Sequence, residues 1–194
     1  MNTKANSYPK EGHKGNFFIN ASRGSAKEKI ISKIFEDPSK KYYVRELARE
    51  AKVNPNSVIN AVKHLEKENI VKRKTRRHIV EIFADLDDPA FLRKKRIFNL
   101  MQIYDSGIAD YLTKYYNPKS IILFGSYSRG EDIKKSDIDI AVITDNEEII
   151  NLEVFEKKLS RKIHLLLLQY KKINDELYAS LINGISIYGY LDKK

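Results

Sequence analysis

Two aspartates spaced two residues apart, downstream of a glycine–serine pair, are the residues of this chain best suited to chemistry. They lie in the run Gly125-Ser126-Tyr127-Ser128-Arg129-Gly130, which continues through a polar stretch to Ser136-Asp137-Ile138-Asp139. Gly125 follows a short apolar run, Ser120 to Phe124, that reads as a buried strand. Glycine at that point lets the backbone approach a ligand with no Cβ in the way. Ser126 adds a hydroxyl donor, and the amides after it are placed to open a helix whose N-terminus favours anions. Asp137 and Asp139 on a strand leave the same face. Paired carboxylates repel, and Asp is a poor strand residue. A divalent cation relieves both problems, and magnesium suits one or two carboxylates completed by substrate phosphates. Arg129 reads equally as a phosphate contact and as a solvated loop cation.

This segment resembles the nucleotidyltransferases related to DNA polymerase β, above all the minimal branch with its Gly-Ser, a further Gly and Ser-Asp-Ile-Asp. The matching positions are Gly125, Ser126, Gly130, Ser136, Asp137, Ile138 and Asp139, and the resemblance extends over about residues 117–191. It implies that Gly125 and Ser126 bind the β- and γ-phosphates of a nucleoside triphosphate, that Asp137 and Asp139 ligate Mg²⁺ or Mn²⁺, and that an acceptor hydroxyl attacks the α-phosphorus. Such domains often pair with a small helical toxin partner, so a protein acceptor is among the expectations. Family members usually carry a third carboxylate on the next strand. Here that strand, Arg161 to Leu168, offers His164 instead. An imidazole can ligate a metal or act as a base, although it suits Mn or Zn better than Mg. Glu153 and Glu156 on the preceding helix are fallback carboxylates. Two functions follow: an enzyme transferring a nucleotide, or a regulator whose degenerate transferase domain binds nucleotide without efficient turnover.

The elements that would position this site alternate strand and helix from about residue 117 to the end. Strands are expected over 120–124, 137–143, 163–168 and 185–190. Helices are expected from the Asp145-Asn146 cap to about Leu159 and from Lys171 to about Ile182. Before them, an amphipathic stretch over 89–116, interrupted at Gly107, is marked by Phe91, Leu92, Ile97, Leu100, Met101, Tyr104, Ile108 and Leu112. It is suited to linking domains, covering the sheet or forming a homodimer.

The first half reads differently. Residues 1–24 are polar and glycine-containing, as in a flexible arm. Ser25 caps a helix ending at Asp37-Pro38, a second runs from about Val44 to Ala51, and Asn54-Pro55 opens a third with Val58, Ile59, Val62 and Leu65 facing inward. A hairpin over 70–83 follows, with five cations among the six residues 72–77. This order over residues 25–88 is similar to the winged helix-turn-helix domains of archaeal and bacterial regulators. That resemblance implies DNA as partner. Asn56, Ser57, Asn60, Lys63 and His64 would be on the reading helix, and Lys72, Arg73, Lys74, Arg76 and Arg77 on the wing.

Charge agrees with a polyanion partner. Residues 1–97 hold 23 Lys+Arg against 12 Asp+Glu, or +11, whereas residues 98–194 hold 13 against 14, or −1, so the whole basic excess of the net +10 lies in the first half. With no cysteine, disulfides and thiolate metal sites are excluded. No apolar run approaches the roughly 20 residues of a membrane span, and no signal-peptide core is apparent. The expectation is therefore a cytoplasmic, two-domain α+β/α/β protein without a membrane partner: arm 1–24, winged helix 25–88, linker helix 89–116 and nucleotidyltransferase domain 117–194.

Overall fold

A computed structural model describes residues 24–77 and 79–192. The arm expected over residues 1–24 falls almost wholly outside them. The chain is a mixed α+β structure with two sheets. Among the described residues no helix is long and apolar enough to cross a membrane.

The first half opens with α1 (Ala26–Glu36), started by a reciprocal cap: Ser25 Oγ accepts from the Glu28 amide and Glu28 Oε2 from the Ser25 amide. After β1 (Tyr42–Tyr43) comes α2 (Val44–Glu50), then α3 (Pro55–Lys67), where Asn54 caps the Ser57 amide at 2.8 Å. Asn69 takes a left-handed φ of 56° beyond the end of α3. The strands β2 (Val71–Arg76) and β3 (Ile79–Ala84) pair antiparallel from Val71↔Ala84 to Arg76↔Ile79, and β1 joins the far side of β3. Ile30, Ile34, Leu47, Val58, Val62, Leu65 and Ile82 form the core. Ile59 is not in it: its side chain is exposed, and Ala61 takes the inward place, because the buried stripe runs through 58, 61, 62 and 65.

The expected linker is two helices, α4 (Pro89–Ser106) and α5 (Ile108–Tyr116), separated at Gly107. α4 enters both cores. Phe91 and Phe98 close on Phe35, with ring centroids 5.3 and 5.4 Å away, whereas Ile103 packs with the second half. Ile97 and Tyr104, expected on its apolar face, are exposed; the buried face instead carries Lys95, Asn99 and Ser106 among its apolar residues.

The second half is a mixed sheet in the order β6-β5-β4-β7. Its strands are β4 (Ser120–Phe124), β5 (Ile138–Ile143), β6 (Ile163–Leu168) and β7 (Ile185–Gly189). β4 runs antiparallel to β5 and β7, and β5 parallel to β6. Alternation along β4 and β5 feeds two cores. Ile121, Leu123, Ile138, Ile140 and Val142 face α5 and α7 (Glu153–Leu159), while Ile122, Ala141 and Ile143 face Leu181 of α8 (Asp175–Ile182). The helices begin later than expected. Residues 145–152 are irregular before α7, and a 3₁₀ turn at Tyr170–Lys172 precedes α8, which Asn174 caps.

Tyr116 at the end of α5 donates to the Glu148 carbonyl at 2.6 Å, and burial pushes its phenol up to about 12. The folded chain keeps this phenol neutral while the unfolded chain ionises near the ordinary 10, so its contribution is intact below pH 10 and is lost as pH rises towards 12. Tyr42 and Tyr127 are shifted upwards for the same reason. Denaturant unfolding is expected to show stability falling across that window. Tyr116→Phe should cost about 1 kcal/mol at neutral pH and flatten the alkaline decline.

Candidate nucleotide and metal site

Topology brings the chemical residues together. β4 ends at Phe124 where β5 begins, and Phe124 faces Asp139 in the antiparallel register. Across the other edge of β5, Asp139 pairs with His164 on the parallel β6. By alternation both lie on the face of Ala141, Ile143, Leu166 and Leu168, at the end of the layer that α8 covers. His164 Nδ1 stands 3.1 Å from Asp139 Oδ1. The bond orients the ring and leaves Nε2 outward when Nδ1 carries the proton.

Gly125 has φ +70° and opens the five-residue helix α6 (Gly125–Arg129). A Cβ there would collide with the Asp139 carboxylate at Oδ2. The backbone of the Gly-Ser turn therefore lies directly against the carboxylate, with the half-buried Ser126 next to it. Ser128 turns back to donate to the Gly125 carbonyl at 2.8 Å, which leaves Ser126 as the hydroxyl of the turn that is not committed to it. Gly130, with φ +76°, marks a second close approach: a Cβ would lie 2.7 Å from the Leu92 carbonyl and 2.9 Å from the Arg96 amide of α4. Arg129 is exposed and bonds Glu131 at 2.7 Å, so the structure directs it locally.

Asp137 falls just outside β5 and is exposed. Among the described residues no group of three or more His, Cys, Asp or Glu side chains is placed to hold a metal ion. The structure thus joins His164 to Asp139 but not all three residues into one ligand set. Glu153 and Glu156 do not supply the missing acid. They sit on α7, on the opposite face of the sheet; Glu153 pairs with Lys157 and Glu156 with Lys162 and the Ile163 amide. Lys162 holds the Glu156 carboxyl below the usual range. The donor set fits a hard cation only in part: Asp139 and Asp137 are oxygen ligands of the right type, and substrate phosphates would have to complete the shell.

Sequence reasoning missed the charged cluster beneath the site. Asp132, in the loop between Gly130 and Asp137, is wholly buried. It pairs with Lys95, accepts from Asn99 at 2.7 Å and meets Arg161 at 2.9 Å. Burial pushes the Lys95 ammonium down, and Asp132 opposes that shift. The available signal was Phe91, Lys95 and Asn99 at successive four-residue steps, one face of α4, concealed by the basic run Arg93 to Arg96.

In the first half, Asn56, Asn60, Lys63 and His64 are exposed on α3, and Ser57 is half-buried at its start. The five cations of β2 and the turn after it divide. Lys72 pairs with Asp85 and Asp87, and Arg73 clamps Glu66 of α3. Lys74, Arg76 and Arg77 are exposed and form no ion pair among the described residues. A separate cavity of about 230 Å³ lies between α1, α2 and Lys134, away from Gly125 and Asp139, and its Lys33 and Lys40 are already paired with Glu36 and Glu50.

Gly125→Ala is expected to destabilise the chain by about 1–3 kcal/mol through backbone strain and the carboxylate clash. Adding Asp139→Ala should restore part of that loss, giving a coupling measurable in a double-mutant unfolding cycle.

Comparison with known proteins bears on the second half of the chain. Residues 106–192 match the sequence family described as "Polymerase beta, Nucleotidyltransferase". A curated protein of Methanocaldococcus jannaschii, named "Putative protein adenylyltransferase", is 45% identical over 58 aligned residues, which cover 26% of this chain and 58% of that relative. The part of the chain that builds the Gly125–Asp139 contact is thus similar in sequence to polymerase β-type nucleotidyltransferases.

Proposed function

We propose that the protein transfers a nucleoside monophosphate from a nucleoside triphosphate to a hydroxyl acceptor, with a winged-helix half that addresses it to DNA. The observation carrying the first part is the backbone of Gly125 pressed against the Asp139 carboxylate at the start of α6. Gly125 and Ser126 hold the β- and γ-phosphates through amide and hydroxyl donors. Asp137 and Asp139 hold Mg²⁺ or Mn²⁺, which supplies charge neutralisation at the phosphates. The acceptor oxygen bonds the α-phosphorus, the α–β bridging P–O bond breaks, and pyrophosphate leaves. His164, oriented by Asp139, takes the acceptor proton at Nε2. The relative's name makes a protein hydroxyl and ATP the first acceptor and donor to try.

A second reading, nucleotide binding with little turnover by a DNA-binding regulator, is favoured by the lack of a three-residue ligand group among the described residues. Labelled ATP with Mg²⁺ or Mn²⁺ and a cell extract separates the two. Transferred label supports the enzyme; calorimetric ATP binding without label transfer supports the regulator. In either case Asp137→Asn with Asp139→Asn should abolish metal-dependent ATP binding while leaving the unfolding midpoint near that of the wild type. Retained affinity in the folded variant would refute the assignment.

Support for the DNA-binding reading comes from the order α1-β1-α2-α3-β2-β3 and from Lys74, Arg76 and Arg77 at the far end of β2 and in the turn after it, exposed and without an ion pair among the described residues. Replacing Lys74, Arg76 and Arg77 together with Ala should lower the slope of log K against log salt by about 3, roughly one per phosphate contact. Arg73→Ala, which breaks the Glu66 clamp, should change the slope less. An unchanged slope in the triple variant would sink the DNA assignment.

A further inference from the structure

Asp137 lies outside the β5 ladder, so something other than strand pairing must hold it in place. The preceding loop closes on itself: the Ser136 amide donates to the Ile133 carbonyl at 2.9 Å, and the Ile133 amide donates to Ser136 Oγ at 3.0 Å. Arg161, just before β6, locks that closure. Its Nη1 donates to the Ile133 carbonyl and, at 3.3 Å, to the carbonyl of Ser136, the residue next to Asp137. Its Nη2 meets Asp132 at 2.9 Å and donates to the Glu36 carbonyl at the end of α1 at 3.1 Å. The Arg161 side chain is 7% exposed. One guanidinium therefore binds the metal-carboxylate loop, the buried anion and the last carbonyl of a helix in the other half.

We propose that Arg161 is a positioning residue for the nucleotide site, setting where Asp137 stands and registering the 132–137 loop against the C-terminal end of α1. The inference rests on the nucleotide reading above. A planar fork can serve four oxygens at once, whereas an ammonium on the same stem is a point charge that cannot reproduce the spread. The buried charge on Asp132 holds the fork in one orientation, and Lys95 and Asn99 fix Asp132 in turn.

The test compares wild type, Arg161→Lys and Arg161→Gln by amide hydrogen exchange and by MgATP titration. The lysine variant keeps the positive charge opposite Asp132, so it separates geometry from charge if the glutamine variant fails to fold. Expected for Arg161→Lys is exchange at least about tenfold faster at residues 133–137, with Ile140 to Ile143 unchanged. MgATP affinity should fall by about tenfold or more, with metal-free ATP binding unaltered. Wild-type exchange and affinity in the lysine variant would overturn the role. Faster loop exchange with unaltered MgATP affinity would overturn it as well, reducing Arg161 to a loop staple. A wild-type chain that binds no MgATP would instead strike the nucleotide reading itself, and this role with it.

Discussion

The structure depends on a single buried carboxylate. Asp132 has no access to solvent, yet it meets Lys95 of α4 and Arg161 just before β6, and accepts from Asn99. Taking charges out of water is costly, and only close pairing with satisfied hydrogen bonds offsets it. Removing Asp132 would strand two buried cations, a loss of several kcal/mol in comparable cases, roughly 3–5. The cluster therefore imposes a geometry as well as a stability. α4 must lie where Lys95 reaches the loop, and Gly130 is the residue whose missing Cβ lets that loop touch the α4 backbone.

From this anchor the site follows outwards. The same loop delivers Asp137, and β5, entering from it, places Asp139 against Gly125 and beside His164. Because β5 lies between β4 and β6, one residue has the Gly-Ser turn on one side and the imidazole on the other. The α4 helix carries the arrangement further: Phe91 and Phe98 bury against Phe35 while Ile103 joins the sheet core, so the two halves share a packed helix. The Arg161 bond to the Glu36 carbonyl adds a polar tie across the same boundary.

The sequence was most legible where local chemistry decides structure. Asn54-Pro55 and Ser25-x-x-Glu28 announce helix starts, the apolar runs at 120–124 and 163–168 announce strands, the first buried and the second half-buried, and the Gly-Ser and Asp-x-Asp spacing picks out Gly125 and Asp139, which the fold brings into contact. It was least legible where long-range packing decides. Nothing local distinguishes Ile97, which is exposed, from Phe98, which is buried. Lys95 looks like its solvated neighbours until Asp132, 37 residues away, is brought beside it. The helix expected from Asp145 is shortened to Glu153–Leu159, and Tyr116 at the end of α5 bonds a carbonyl within the irregular stretch before it. The basic hairpin was visible as composition, but the pairing that neutralises Lys72 and Arg73 was not.

The central claim is that metal and nucleotide meet at the Gly125–Asp139 contact. Mn²⁺-induced broadening of amide resonances in the presence of ATP tests it most directly, because the paramagnetic effect falls off steeply with distance. The result in keeping with the claim is ATP-dependent loss of the Gly125, Ser126, Asp139 and His164 signals, with those of α3 and the β2–β3 hairpin intact. Broadening centred instead on the Lys33–Glu50–Lys134 cavity, or equal broadening with and without ATP, would contradict it.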